Sequence, residues 1–174
     1  AFEAGTPQLA WIGESNLIEH TLDQASRFQN KLERINDVVR KLKVDADGTT
    51  LHLANGAGLR AKLVVAADGA NSPIRAELGI AVSEESYSQS AVVANWICTH
   101  AHLETAYQWF LPEGDIIAML PLPNKQVSMV WSTSPENAAA LLKLDQESWS
   151  KKFASIANGA IVSQFGELTL NSAP

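Results

Sequence analysis

A chain of 174 residues, 46% hydrophobic and 18% charged, is long enough to bury a core as one domain or as one domain with a lobe. Its formal charge of -6 argues against nucleic acid as a partner, because phosphate binding needs a basic face, and the densest basic stretch, Arg40, Lys41 and Lys43, reads as the solvated side of a strand. The single cysteine, Cys98, excludes an internal disulfide, suits a reducing cytoplasm and reads as a small buried apolar residue, while no apolar run approaches the ~20 residues of a membrane-spanning helix and no signal peptide is visible.

In chain order, the apolar set Leu17, Ile18, Leu22, Ala25 and Phe28 falls near helical spacing and predicts a helix over residues 16–28, with Ser15 or Asn16 as its cap. A short strand is expected at 31–35. Strands at 38–44, 49–53 and 59–67 follow, separated by turn signals at Asp47-Gly48 and Asn55-Gly56, and together read as a β-meander. Its last part, Leu63, Val64, Val65, Ala66 and Ala67, is an uninterrupted apolar run that suits a parallel strand buried on both faces. After Ala81 the pattern changes to alternating strands at 90–99, 106–111, 116–122 and 126–133, joined by short turns at Pro112-Glu113-Gly114 and Pro123-Asn124, which predicts an antiparallel sheet. Period two puts Val127, Met129 and Trp131 on one face of the last strand and Ser128, Val130 and Ser132 on the other. Pro135 and Glu136 open a helix through Leu142, and a second helix runs over 146–157, to be ended by Gly159. The expected fold class is α/β plus α+β: a partial α/β region over 1–80, then an antiparallel-sheet region with helices over 81–174.

The most informative segment begins where the apolar run ends. Asp68 arrives at a strand's carboxyl end, and in open α/β sheets ligands gather beyond such ends, so a carboxylate there can accept hydrogen bonds from ligand hydroxyls. Gly69 lets the backbone turn sharply or approach a ligand. Ser72 is a good N-cap and Pro73 fits the first helical position. Arg75 opposes the positive dipole end of that helix, so its guanidinium needs another task. The plainer alternative is that Asp68-Gly69 is only a turn and Ser72-Pro73 only a cap.

The run Asp68-Gly69-Ala70-Asn71-Ser72-Pro73-Ile74-Arg75 resembles the DG motif of the class A FAD-dependent aromatic monooxygenases, the group of para-hydroxybenzoate hydroxylase. The resemblance extends to Trp11-Ile12-Gly13-Glu14-Ser15-Asn16-Leu17-Ile18 before it, and to Tyr87-Ser88-Gln89-Ser90-Ala91-Val92-Val93-Ala94, Gln108-Trp109-Phe110, Ala118-Met119-Leu120-Pro121-Leu122 and Val130-Trp131-Ser132 after it, which are similar to the ubiquinone-biosynthesis hydroxylase branch. One departure is Trp109, where that branch is expected to carry a basic residue. The resemblance implies that Asp68 and Gly69 sit near the ribityl and pyrophosphate part of FAD and influence use of NAD(P)H, with Arg75 holding the corner in place. It also implies the activity: NAD(P)H reduces the flavin, and one atom of O2 reaches an electron-rich ring, here a polyprenyl phenol or quinol. No GxGxxG follows a strand and no later Gly-Asp flavin motif is seen before Asn171-Ser172-Ala173-Pro174, so the chain, which starts without methionine, is expected to be a middle fragment with only part of the flavin site, inactive and FAD-free by itself.

Trp96, Trp109, Phe110, Met119, Leu120, Leu122, Met129 and Trp131 could wall a pocket for a planar ring with a prenyl tail, although residues of these types are mostly core. By resemblance the second sheet covers the flavin ring, and Phe110, Leu120 and Pro121 are the candidates for lining the reaction chamber. His100 and His102 share a strand face with Glu104 near by, but a third well-spaced ligand is missing and no metal is expected. No G-x-S-x-G elbow or P-loop points to hydrolysis or phosphoryl transfer. Because a flavin supplies the difficult chemistry, no acid, base or nucleophile need stand out. A polyprenyl substrate would make membrane contact peripheral, at the inner membrane of a cytoplasmic protein, and leaves self-association open. Two alternatives remain: a hydroxylase of a soluble phenol, and a non-catalytic module whose apolar sheet mediates contacts.

Overall fold

The computed structural model describes residues 5, 6 and 8–171. Contacts divide the chain into two compact units, Leu22–Glu85 and another made mainly of Ser86 onward.

Helix α1 (Ser15–Arg27) forms where the periodicity places it, starting from Leu17 and Ile18 amides bonded to the Glu14 carbonyl. It buries none of its residues, and Leu17, Ile18 and Leu22 remain exposed. Strands β1 (Val39–Asp45), β2 (Gly48–Leu53) and β3 (Gly58–Ala61) make the expected meander, antiparallel in the order β1-β2-β3. The β1–β2 turn is so tight that Asp45 pairs with Gly48, whose φ is 141° and whose missing Cβ would lie 2.5 Å from the Ala61 carbonyl oxygen, so glycine alone fits. Across the meander, Arg60 donates to both oxygens of Asp45 at 2.7 and 3.1 Å, and that guanidinium holds the Asp45 carboxyl below the usual carboxylate range.

Two expectations in this unit are corrected. Residues 31–35 form no strand; the chain from 32 to 38 is irregular. The strand expected over 59–67 stops at Ala61, and residues 63–67 pair with nothing: Leu63 is 79% and Val65 77% exposed. The cause is the cooperative nature of sheets. An apolar run becomes a buried parallel strand only when neighbours accept and donate along both its edges, and all pairings among the described residues are antiparallel and lie elsewhere.

The second unit holds a five-stranded antiparallel sheet in the order β5-β6-β7-β4-β8, from β4 (Ser90–Cys98), β5 (Tyr107–Phe110), β6 (Ile116–Leu122), β7 (Gln126–Thr133) and β8 (Leu168–Leu170). The first four lie within a residue of the expected spans. Val127, Met129 and Trp131 do share a face, fully buried with Val92, Ala94, Trp96, Ile117 and Met119 from the neighbouring strands. Over this face pack α3 (Pro135–Leu141), α4 (Gln146–Ser155) and α5 (Ala160–Phe165). Trp96 meets Trp149 and Phe153 of α4 edge-on, with ring centroids 5.2 and 4.8 Å apart. The side chains of Ser134 and Asp145 accept from the Asn137 and Ser148 amides and fix where α3 and α4 begin.

The helix expected over 146–157 ends at Ser155, because Ile156 turns extended (φ -76°, ψ 138°) and is buried in the core. A 3-10 turn (Ile156–Gly159) follows, and Gly159, at φ 78°, starts α5 rather than ending a helix. Neither α5 nor β8 was expected. Of the last four residues, Asn171-Ser172-Ala173-Pro174, only Asn171 is among the described residues.

Candidate functional site

Two groups of residues carry the predicted chemistry, one in each unit. The first is the corner from Asp68 to Arg75. Although the segment before it is not a strand, the turn and cap form as read: Ser72 is the N-cap of α2 (Pro73–Glu77), accepting from the Arg75 amide at 2.9 Å, with Pro73 at the helix start. The Asp68 carboxylate accepts from the Ile74 amide at 3.3 Å yet stays exposed. Its pKa lies below the ordinary value, chiefly through the Ser72 hydroxyl, with burial opposing the shift and the Ile74 N–H adding to it. The group is therefore ionised and can accept hydrogen bonds from hydroxyls outside the chain. Gly69 has φ 87° with open space where a Cβ would stand, so glycine is needed here for the backbone turn. Arg75 has the other task its position demands: Nη2 donates to the Ala70 carbonyl at 2.6 Å and closes the loop that presents Asp68.

The second group lies on the sheet. Register pairs Phe110 with Ile116, Ala118 with Val130, Val130 with Val93 and Leu120 with Ser128, so these side chains share the face opposite the helices. On this face Phe110 (73%) and Val93 (50%) are exposed, Leu120 is half-buried and Leu122, in the same register, is buried. Phe110 and Leu120 are thus brought to one surface. Pro121, paired with buried Val127, takes the register of the helix-covered face instead, behind the strand that carries Leu120. Trp96, Met119, Met129 and Trp131 are core, and Trp109 stacks on Tyr107 with centroids 5.9 Å apart and meets Phe165 edge-on, which gives the departure at that position a packing role.

Sequence reasoning missed Asp115. Its carboxylate accepts from Trp131 Nε1 at 2.8 Å, Thr133 Oγ1 at 2.7 Å and Asn137 Nδ2 at 3.3 Å, and its backbone carbonyl accepts from Leu111 at 2.8 Å. It borders a cleft of about 500 Å³ with Lys152, whose ammonium stands 5.4 Å from the Trp131 ring centroid. With three donors on one carboxylate, Asp115 is a clamp joining β5, β6, β7 and α3; a lone acid after a Pro-Glu-Gly turn gives no sequence signal for partners 16 to 22 residues away. His102 is likewise structural: Nδ1 accepts from the Glu104 amide at 3.0 Å, which leaves Nε2–H to donate to the Leu122 carbonyl at 2.9 Å. Cys98 is buried, donates to the Lys125 carbonyl at 2.9 Å and has its thiol pKa pushed up by burial. Among the described residues no helix is long and apolar enough to cross a membrane.

Residues 3–164 match the family model described as an FAD binding domain. The chain is 33% identical over 146 residues to the 3-demethoxyubiquinol 3-hydroxylase of Escherichia coli, covering 83% of this chain and 37% of that protein. It is 48% identical over 98 residues to a mitochondrial ubiquinone biosynthesis monooxygenase of Danio rerio, covering 56% of this chain and 20% of that one. The chain thus spans between a fifth and somewhat over a third of these relatives. Among solved structures, a probable FAD-dependent monooxygenase from Pseudomonas aeruginosa matches with a TM-score of 0.64 at 20% identity, over 90% of this chain and 45% of that one. A Klebsiella pneumoniae protein complexed with FAD and uric acid matches at 0.55 and 18%, over 90% and 41%. These two likenesses establish the fold, an α/β fold with an antiparallel sheet and helices.

Proposed function

Since the chain belongs to the FAD-binding-domain family, we propose that it is part of an FAD-dependent monooxygenase that hydroxylates an aromatic ring, with a polyprenyl phenol or quinol of ubiquinone biosynthesis as substrate and NAD(P)H and O2 as co-substrates. The observation that carries this reading is the Asp68 corner: an exposed, ionised carboxylate on a loop closed by Arg75 and capped by Ser72, at the positions of the flavin motif. The donor and acceptor set fits FAD. Asp68 would accept hydrogen bonds from hydroxyls of the ribityl part, and Gly69 would let the cofactor approach the backbone. Arg75 acts one step back, holding the loop. FAD, when bound, supplies the redox and oxygen chemistry.

The residues of the sheet bind and orient. Phe110 and Leu120 would contact the ring, and Pro121 would support the strand of Leu120 from the core side. Their apolar surface excludes water from the reacting ring, and positioning is the protein's main contribution to rate. In domain terms, 1–80 serves the flavin and 81–174 the substrate. Any contact with the inner membrane would be peripheral, and self-association fits the open apolar face.

The test is turnover by the intact enzyme with matched phenols that carry a short prenyl tail or none. The proposal expects NAD(P)H consumption and a hydroxylated product in both cases, with kcat/KM higher for the tailed ring. Equal kcat/KM would transfer the reading to a soluble phenol, and no ring-dependent NAD(P)H consumption would contradict it.

A further inference from the structure

Phe110, which the proposed function sets against the ring, is held by little of the sheet. It ends β5, a strand of four residues at the edge of the order β5-β6-β7-β4-β8, so its backbone has a strand neighbour on one side only. The pairs from Tyr107 with Met119 to Phe110 with Ile116 are the whole of that ladder. Tyr107 and Trp109 pack edge-on against Phe165, whereas Phe110, by the alternation of a strand, faces the other way and is 73% exposed. A hairpin this short is marginal by itself, so the place of an exposed ring at its end depends on what fixes the turn that follows.

Asp115 fixes that turn. Its backbone carbonyl accepts from Leu111, the residue after Phe110, and the Leu111 carbonyl accepts from Gly114, which closes the turn on itself. Its carboxylate then ties the turn to elements deeper in the unit. Oδ2 accepts from Trp131 Nε1 at 2.8 Å and Asn137 Nδ2 at 3.3 Å, and Oδ1 accepts from the Thr133 hydroxyl at 2.7 Å. Trp131 and Thr133 are buried in β7, two strands in from the edge, and Asn137 lies in the first turn of α3. Thr133 Oγ1 accepts in turn from Asn137 Nδ2 at 2.8 Å, so the four side chains form one connected network. All three donors to the carboxylate are neutral, and no ion pair among the described residues uses Asp115. Its oxygens hold position and do not pair a charge.

We infer that Asp115 is a positioning residue for hydroxylation: by pinning the 111–115 turn to β7 and α3 it holds Phe110 in a fixed place on the helix-free face, and placement of the ring depends on it more than binding of the ring. The inference rests on the proposed hydroxylase reading, in which Phe110 contacts the ring. It specifies one kind of failure. With the pin removed the ring still enters but is held out of line, and both electrons of NAD(P)H go to O2 and leave as hydrogen peroxide, with no oxygen atom reaching the ring.

The experiment measures hydroxylated product per NAD(P)H consumed, together with KM for the ring, FAD content and melting temperature. It compares the intact FAD-loaded enzyme with its Asp115→Ala, Asp115→Asn, Phe110→Ala and Gly166→Ala variants, with a short-tailed methoxyhydroquinone as the ring. Asp115→Ala should lower product per NAD(P)H roughly three- to tenfold, with the balance recovered as hydrogen peroxide and KM changed by less than about twofold. Asp115→Asn should fall between that variant and the parent, because its amide oxygen still accepts from Trp131 while its NH2 leaves the Thr133 O–H without an acceptor. Gly166→Ala is the control for stability alone: it loosens β8 at the far edge of the same sheet and should lower the melting temperature with the product ratio unchanged. A parent ratio in Asp115→Ala, or an equal fall in Gly166→Ala, overturns the inference. If the alanine protein does not retain FAD, a full parent ratio in Asp115→Asn overturns it. If Phe110→Ala keeps both the ratio and KM of the parent, the reading of Phe110 as a ring contact fails and this inference falls with it; a lowered ratio there beside an unchanged one in Asp115→Ala removes the inference alone.

Discussion

The two units use the same kind of sequence signal with opposite results. In the unit from Ser86 onward, the apolar alternation of β4, β6 and β7 is met by three helices, and Trp96, Trp131 and Trp149 are almost wholly buried. In Leu22–Glu85, the equally apolar run 63–67 has no pairing partner, and Leu63 and Val65 face solvent. The lesson is that apolarity proposes a buried strand, and hydrogen-bonding neighbours decide it. What the smaller unit does fix without neighbours is local: a cap, a glycine turn and a guanidinium clamp around Asp68.

The contrast predicts where the chain is fragile. Trp149→Ala removes a ring that touches Trp96, Trp131 and Phe153, and should cost about 3–5 kcal/mol, enough to unfold the larger unit while the meander, followed by its own amide signals, persists. Trp149→Phe should cost much less. The indole Nε1 of Trp149 is buried without an acceptor, so the smaller ring also removes an unsatisfied donor. Equal losses for the two variants in urea titrations would show that this ring stack is not what holds the unit.

Next in size is Gly166→Ala. Gly166 has φ 70°, and a Cβ there would overlap the Thr99 hydroxyl, which accepts the Glu167 amide. The expected loss is about 2 kcal/mol, from backbone strain and overpacking together, with β8 released first in hydrogen exchange. Protection of the Thr169 amide equal to that in the parent chain would contradict it.

The smallest stability effect belongs to the corner. Ser72→Ala should cost about 1 kcal/mol by loss of the α2 cap. Because the Ser72 hydroxyl is the main cause of the depressed Asp68 pKa, the same change should raise the Asp68 titration toward the ordinary carboxylate value, readable by carbon NMR. The sign follows from linkage. A carboxyl held low in the folded state stabilises it above the unfolded pKa and loses that contribution as pH falls through the folded value, so the variant should be less sensitive to acid there. An unmoved Asp68 titration would break the link between cap and carboxylate.

Much of this was legible in the sequence where the signal is short-range. Period two located β4 to β7, Ser72-Pro73 located α2, and the position of Arg75 against the helix dipole foretold a partner, which is the Ala70 carbonyl. What was not legible depends on distant neighbours. The strand at 31–35 and the parallel strand at 63–67 are patterns without pairing; α5 rests on Ile161 and Phe165 entering the core and β8 on pairing with the distant β4; and the Asp115 clamp gathers partners from β7 and α3. The placement of Phe110 with Leu120, and of Pro121 on the opposite register, needed the pairing of β5, β6 and β7.

The measurement that bears most directly on the central claim is the flavin content and flavin reduction rate of the intact enzyme carrying Asp68→Ala. Asp68 is exposed, and its carboxylate meets the Ser72 hydroxyl and, by a long bond, the Ile74 amide, so Asp68→Ala should lower the melting temperature of the cofactor-free protein slightly at most, while FAD retention weakens or reduction by NAD(P)H slows. Full flavin content with a normal reduction rate would contradict it.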